Sequence, residues 1–242
     1  AHTVVRFEKA MGEVLAITKA TTSQFAIMRA EAQKLGATTM FTASQAAEGL
    51  KFLAMAGFSA GQATKSLRAT LNLAQAGAMD LGTAADIASN ILTAFRINAE
   101  GLNDVVDDLA TVASRSNTSV IQLGDAMKYV SASASSYGIS LQETSAAIGV
   151  LSDAGMQASM AGTGLRQVFI RIAGQSAVMR QGMAALGITF AEINPEVNSL
   201  QQILERFAQT SVTATQVSAM FGARAANAFN ILMQGREKVR SL

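Results

Sequence analysis

The chain has 242 residues, half of them hydrophobic, with 19 Lys and Arg against 17 Asp and Glu and a formal net charge of +2. That apolar content suffices for a sizeable core, as one large domain or two smaller ones, and excludes a disordered chain. Near-balanced charge offers no field to nucleic acid or an anionic membrane; the lack of Cys and the single His2, at the chain terminus, exclude a disulfide framework, a thiolate nucleophile and most metal and triad chemistry.

Helix signals are dense and strand alternation is almost missing, which predicts an all-α fold. Phe7, Met11, Val14, Leu15 and Thr18 make a first stripe. A second helix runs from a cap at Thr21 or Thr22 through Phe25, Met28 and Leu35, with Gly36 as its expected stop. Thr42 to Ala56 and Ser59 to Ala76 follow, with Gly57 and Gly77 as stops. Further helices are predicted over 81–95, 99–114, 120–135, 141–154, 160–173 and 176–186. The only proline, Pro195, follows Ile188-Thr189-Phe190-Ala191-Glu192-Ile193-Asn194, where β-branched and aromatic residues meet a turn former. A short extended connector is predicted there, and with it a domain boundary. Beyond it, Ser199-x-x-Gln202 and Thr213-x-x-Gln216 open two capped helices, the second ending near Gly222, and a last helix spans 223–234.

Two stretches spell the same helix start and body. Thr42-Ala43-Ser44-Gln45 with Glu48-Gly49-Leu50-Lys51-Phe52-Leu53 matches Ser119-Val120-Ile121-Gln122 with Asp125-Ala126-Met127-Lys128-Tyr129-Val130. A second start follows each copy, Gly57-Phe58-Ser59-Ala60-Gly61-Gln62 and Gly138-Ile139-Ser140-Leu141-Gln142-Glu143. Each is an [ST]-x-x-[QE] capping box. The expected architecture is a compact multi-helix array with an internal duplication of a helical unit: N-terminal helices over 1–37, a first copy over 38–115, a second over 116–187, and a connector with C-terminal helices over 188–242. Short helices separated by glycine are the opposite of a long heptad rod. The small residues Ala46, Ala47, Gly49, Ala54 and Ala56 let helix axes approach closely, with Met, Leu and Phe filling gaps.

The blocks Leu50-Lys51-Phe52-Leu53-Ala54-Met55-Ala56-Gly57-Phe58-Ser59, Leu71-Asn72-Leu73-Ala74 and Asp86-Ile87-Ala88-Ser89-Asn90-Ile91-Leu92-Thr93-Ala94-Phe95 resemble the core region of bacteriophage tail tape measure proteins. So do Ser116-Asn117-Thr118-Ser119, Ala126-Met127-Lys128-Tyr129-Val130 and the stretch from Gly155 to Leu165. The resemblance runs in order from Phe7 to Ile172. After Leu186 the family commonly has a Gly-Asn turn and a basic-Pro-Leu run, where this chain has Ile193-Asn194-Pro195-Glu196-Val197-Asn198-Ser199-Leu200. Proteins of that family lie inside the tail tube, set its length during assembly, and leave ahead of the genome at infection. With no signal peptide and a start on Ala1 in mid-pattern, the chain reads as a segment of a longer protein.

Candidate chemistry stands beside plainer readings. Gly162-Thr163-Gly164-Leu165-Arg166, with Arg171 nearby, has the look of a phosphate-cradling turn, but the third glycine of a dinucleotide fingerprint and the Gly-Lys-[Ser/Thr] of a P-loop are missing, which favours a tight turn that lets helices pack. Asp104, Asp107 and Asp108 share one helix face by spacing; without further oxygen ligands they read as a solvated face rather than a cation site. Lys128 can be paired with Ser131, Ser133 or Ser135, yet no oxyanion hole is suggested, and Lys51 and Lys128 read as side chains covering a neighbouring helix. Gly57-x-x-x-Gly61, Gly155-x-x-x-Ser159 and Ala158-x-x-x-Gly162 are small-xxx-small patterns, but Gly57 and Gly155 fall at helix ends. The longest uncharged stretch, 207–223, is threaded with Gln, Thr and Ser, so no membrane span is predicted.

From Asp80 to Asp108 the chain has six acids and one base, Arg96; from Ala154 to Ala191 it has Arg166, Arg171 and Arg180 and no acid. Such segments pair either between copies or within one chain.

No catalytic, cofactor-binding or metal residue is assigned and no cofactor is expected. The resemblance implies a non-enzymatic structural module of a phage or prophage tail tape measure protein, contacting tail-tube and tail-assembly proteins and other copies of itself. Its place would be the tube lumen of the virion tail, after assembly in the host bacterial cytoplasm, helping to set up assembly and tail length. Sequence-specific nucleic acid binding is not expected, and membrane contact is expected only at ejection. The alternative is a helical pore-forming or channel-lining module acting at the bacterial envelope during genome ejection. A hydrolase embedded in a tail protein is disfavoured by the missing Cys and the lone His.

Overall fold

Most of the longer helix starts in this chain are written in their first four residues. Seven helices longer than one turn open with a capping box: the hydroxyls of Thr21, Thr42, Ser59, Ser119, Ser140, Ser199 and Thr213 each accept the N3 amide, and the N3 Gln or Glu reaches back to the cap amide. Two orphan donors are satisfied per helix, so no neighbouring element is needed to define the start. Asp80 and Ser176 cap two further helices by side chain alone.

Helix ends are equally regular. The amides of Phe58, Met79, Ile97, Ile139, Met156 and Ile188 each bond back to the carbonyl five residues earlier, the closing bond of a Schellman turn. The residue before each has positive φ: Gly57, Ala78, Arg96, Gly138, Gly155 and Gly187. At Gly57-Phe58-Ser59 and Gly138-Ile139-Ser140 the stop, the apolar plug and the next cap occupy three consecutive residues.

The computed structural model describes residues 2–242, with side chains from residue 4 onward; the sequence readings of the His2 side chain and of Ala1 lie outside them. Among the described residues there are helices and no strand, as the sequence predicts. The chain folds as two compact units, Ala1–Asp107 and Asp108–Leu242.

In unit 1, α1 (His2–Thr18), α2 (Thr22–Thr38), α4 (Ala60–Ala76) and α5 (Leu81–Phe95) all pack on α3 (Ala43–Met55). That central position follows from its small residues: Ala46, Ala47, Gly49 and Ala54 are buried beside Leu50 and Leu53. A β-carbon on Gly49 would stand 3.0 Å from Leu67 of α4. Phe7, Met11 and Val14 of α1 are buried, and above them Arg29 chelates Glu8 and lies 5.1 Å over the Phe7 ring. A single 3₁₀ turn (Ala99–Gly101) precedes α6 (Leu102–Arg115), replacing the helical turn predicted there.

Unit 2 holds the rest of α6 with α7 (Val120–Ser136), α8 (Leu141–Asp153), α9 (Ala158–Gly174), α10 (Ala177–Ala185), α11 (Phe190–Ile193), α12 (Leu200–Ala208), α13 (Ala214–Gln234) and α14 (Arg236–Ser241). α9 packs along α7 and α13. Phe207, Phe221 and Phe229 form an aromatic cluster with centroids 4.1 to 6.1 Å apart, Phe221 stacked on Phe229 and Phe207 edge-on to both. α13 is broken at Gly222 (φ 73°, ψ 159°), so the two helices predicted on either side of it are both present.

Three expectations change. Gly36 lies inside α2 rather than ending it: a β-carbon there would run into the Ala43 backbone, so this glycine serves the tight return into α3. Gly77 follows the last residue of α4 as expected, and the left-handed residue is the next one, Ala78. The connector near Pro195 is not extended; Glu192 accepts from the amide and hydroxyl of Thr189 and winds the one-turn α11. α14 has no predicted counterpart; it packs on α8, and Lys238 pairs with Asp153 at 2.6 Å.

Candidate interaction surfaces

The residues singled out for chemistry take structural positions. Gly162 and Gly164 are buried within α9, not in a turn. A β-carbon on Gly162 would collide with Ala126 of α7, and one on Gly164 would stand 2.9 Å from Met156 and 3.2 Å from Ala228. The pair therefore sets close helix contact, and the cradling turn and the tight turn are both corrected. Arg166 keeps its Nε buried without a hydrogen-bond partner, while Arg171 is exposed.

Asp104 and Asp107 are exposed, but Asp108 turns inward and accepts the Ser145 hydroxyl at 2.6 Å. Burial pushes the Asp108 carboxyl up, and the Ser145 hydrogen bond opposes the shift. The solvated face thus loses one member to the core. No group of three or more His, Cys, Asp or Glu able to hold a metal exists among the described residues.

Lys128 meets Asp125 at 3.5 Å one turn away. Ser131 is buried and donates to Met127 Sδ at 3.4 Å. Lys51 lies 5.3 Å over the Phe52 ring and pairs with Glu13 of α1 at 3.0 Å, which turns the expected covering lysine into a tie between α3 and α1. Gly57 and Gly155 end helices, as their place in the small-xxx-small patterns suggested. Among the described residues no helix is long and apolar enough to cross a membrane.

Two of the open surface grooves among the described residues have large apolar side chains in their lining, one in each unit. In unit 1, Phe41, Phe52, Met79 and Leu81 line about 370 Å³ beside Gln45, Glu48 and Asp80. The Asp80 carboxylate accepts the Thr83 hydroxyl at 2.6 Å and its amide at 2.9 Å; these bonds, the hydroxyl's first, hold its pKa below the usual value. In unit 2, the exposed side of α9 and the second half of α13 border about 580 Å³ over Met156 and Gly164, with Met160, Gln167, Asn227 and Arg224 around it. Sequence reading missed both. Phe41 and Met79 each stand just before an N-cap, Thr42 and Asp80, a place where apolar residues usually fold onto their own helix.

The family described as "Phage-related minor tail protein" matches residues 29–234, beyond the Ile172 limit of the resemblance read from sequence. A tape measure protein of Pneumococcus phage Dp-1 is 34% identical over 210 residues, covering 87% of this chain and 18% of the relative. A probable tape measure protein of Escherichia phage P2 is 25% identical over 219 residues, covering 87% of this chain and 27% of the relative. The chain thus spans roughly a fifth to a quarter of the length of these relatives. No solved structure matches. With a family match over most of its length and two tape measure relatives along the same helices, the chain belongs to the phage-related minor tail protein family.

Proposed function

We propose that this chain is a non-enzymatic assembly module of a tail tape measure protein. It works in the tail-tube lumen through contacts with tail-tube and tail-assembly proteins and other copies of itself, and starts or terminates tail assembly rather than measuring length. One observation carries the reading: the matched segment is made of short capped helices folded into two compact units, the longest, 21 residues, broken at Gly222. A ruler adds length in proportion to residues, about 1.5 Å each as continuous helix. Residues 29–234 would then contribute about 310 Å, which helices that turn back every fifteen residues or so do not deliver.

The test is to delete, and separately to duplicate, the codons for residues 29–234 in the phage gene and to examine lysates by electron microscopy. An assembly module gives few or no tails on deletion and tails of unchanged length on duplication. Normal tail numbers, shortened or lengthened by about 310 Å, would make the segment a ruler.

A further inference from the structure

The unit 1 groove is built for a cation with apolar neighbours. Phe41, Phe52 and Met79 supply aromatic and polarizable surface, and both charged residues lining it, Glu48 and Asp80, are acidic. Lys51, over the Phe52 ring, is balanced by Glu13 and leaves those two carboxylates uncompensated. An aromatic surface flanked by carboxylates is the complement of a guanidinium, which stacks on the ring and pairs with the acid at once.

This same chain carries such a group. Between Ala154 and Ala191 its only charges are three arginines. Arg171 is exposed on α9 beside Ile170, a large apolar side chain left 37% exposed. Arg180, by contrast, is engaged with the Gln175 carbonyl at 2.5 Å. We infer that the unit 1 groove of one copy receives the Ile170–Arg171 surface of a second copy, Arg171 pairing with Glu48 over the Phe41 ring. The two surfaces differ, so the contact is head to tail and propagates from copy to copy unless the rotation closes a ring. The inference rests on the assembly reading above and names its self-contact.

Sedimentation equilibrium of the 242-residue chain over a wide concentration range decides it. The wild type is expected to rise in mass above 25.2 kDa with concentration. Glu48→Lys and Arg171→Glu should each weaken association by roughly tenfold or more, and the double reversal should restore most of it. Circular dichroism melts check that each variant folds, and Glu48→Gln with Arg171→Gln provides a milder pair for the same comparison. A wild-type mass fixed at 25.2 kDa, reversals without effect, or a double variant as weak as either single one overturns the inference. A monomeric chain together with lost tails in the deletion phage would leave the assembly reading standing without this contact; normal tails shortened by the ruler amount would remove that reading instead.

Discussion

Gly162 of α9 rests directly on Ala126 of α7: a β-carbon at Gly162 would stand 2.9 Å from the Ala126 Cα and closer still to its carbonyl oxygen. Two helix backbones meet here with no side chain between them. The sequence motif that suggested anion binding is therefore explained by the partner helix, and close approach is what the glycine supplies.

Gly162→Ala is expected to destabilise unit 2 by about 1–3 kcal/mol through overpacking against backbone. Gly12, inside α1 with nothing within 4 Å of its would-be β-carbon, provides the opposite case. Gly12→Ala should stabilise by about 0.5–1 kcal/mol through helix propensity alone. Urea unfolding of both variants checks the pair, and equal shifts would mean that the α7–α9 contact is looser than its geometry.

Gly57 and Gly138 each close a helix at φ +95° and +77°. Gly57 has open space around it, so Gly57→Ala should cost about 1 kcal/mol of backbone strain and nothing else. Gly138→Ala should cost more, because its β-carbon would also meet the Pro195 carbonyl oxygen at 3.3 Å. Ala78 takes the same left-handed place at φ 48° without being glycine, and Ala78→Gly should gain up to about 1 kcal/mol. Thermal melts that rank the three otherwise would show that backbone strain and the Pro195 contact do not set the cost at these turns.

Helix starts in this chain are local chemistry, and a sequence can state them: Thr42 with Gln45, or Ser140 with Glu143, needs nothing from elsewhere to form a box. Glycine is ambiguous because it has two uses. Gly57 ends a helix through its own φ, whereas Gly36 and Gly162 sit inside helices and owe their identity to Ala43 and Ala126. Only the tertiary partner separates those cases. The surfaces were hidden for the same reason. Phe41 and Met79 lie 38 residues apart and look like ordinary residues before caps until α3 and α5 bring them to one groove. Asp108 differs from Asp104 and Asp107 only through Ser145, which lies 37 residues along the chain.

Glu143 does more than its box requires. Its Oε2 accepts the Ser140 amide and hydroxyl at 3.2 and 2.9 Å, and its Oε1 accepts the Leu200 amide at 2.6 Å, the first residue of α12. One carboxylate thus serves two helix N-termini that are remote in sequence. Glu143→Gln keeps a single accepting oxygen and leaves one end unserved, which should cost about 1–2 kcal/mol, comparable to losing a cap. Hydrogen exchange at Leu200 should quicken in the variant; unchanged protection there would mean that α12 holds its own start.

Glu192 gives the fold a definite response to acid. Its carboxylate accepts the Thr189 amide at 2.7 Å, Arg206 Nε at 2.7 Å and the Thr189 hydroxyl at 2.9 Å, which together hold its pKa at about 2 instead of 4.5. A folded-state pKa below the unfolded one adds stability that is fully present above about 4.5 and fades as pH falls towards about 2. Glu192→Gln should therefore be less stable than wild type at neutral pH, and the gap between them should close over that window. Urea midpoints measured for both proteins from neutral pH down to pH 2 report the gap directly; curves that stay parallel through the window would show that Arg206 and Thr189 do not hold the carboxylate in the folded protein.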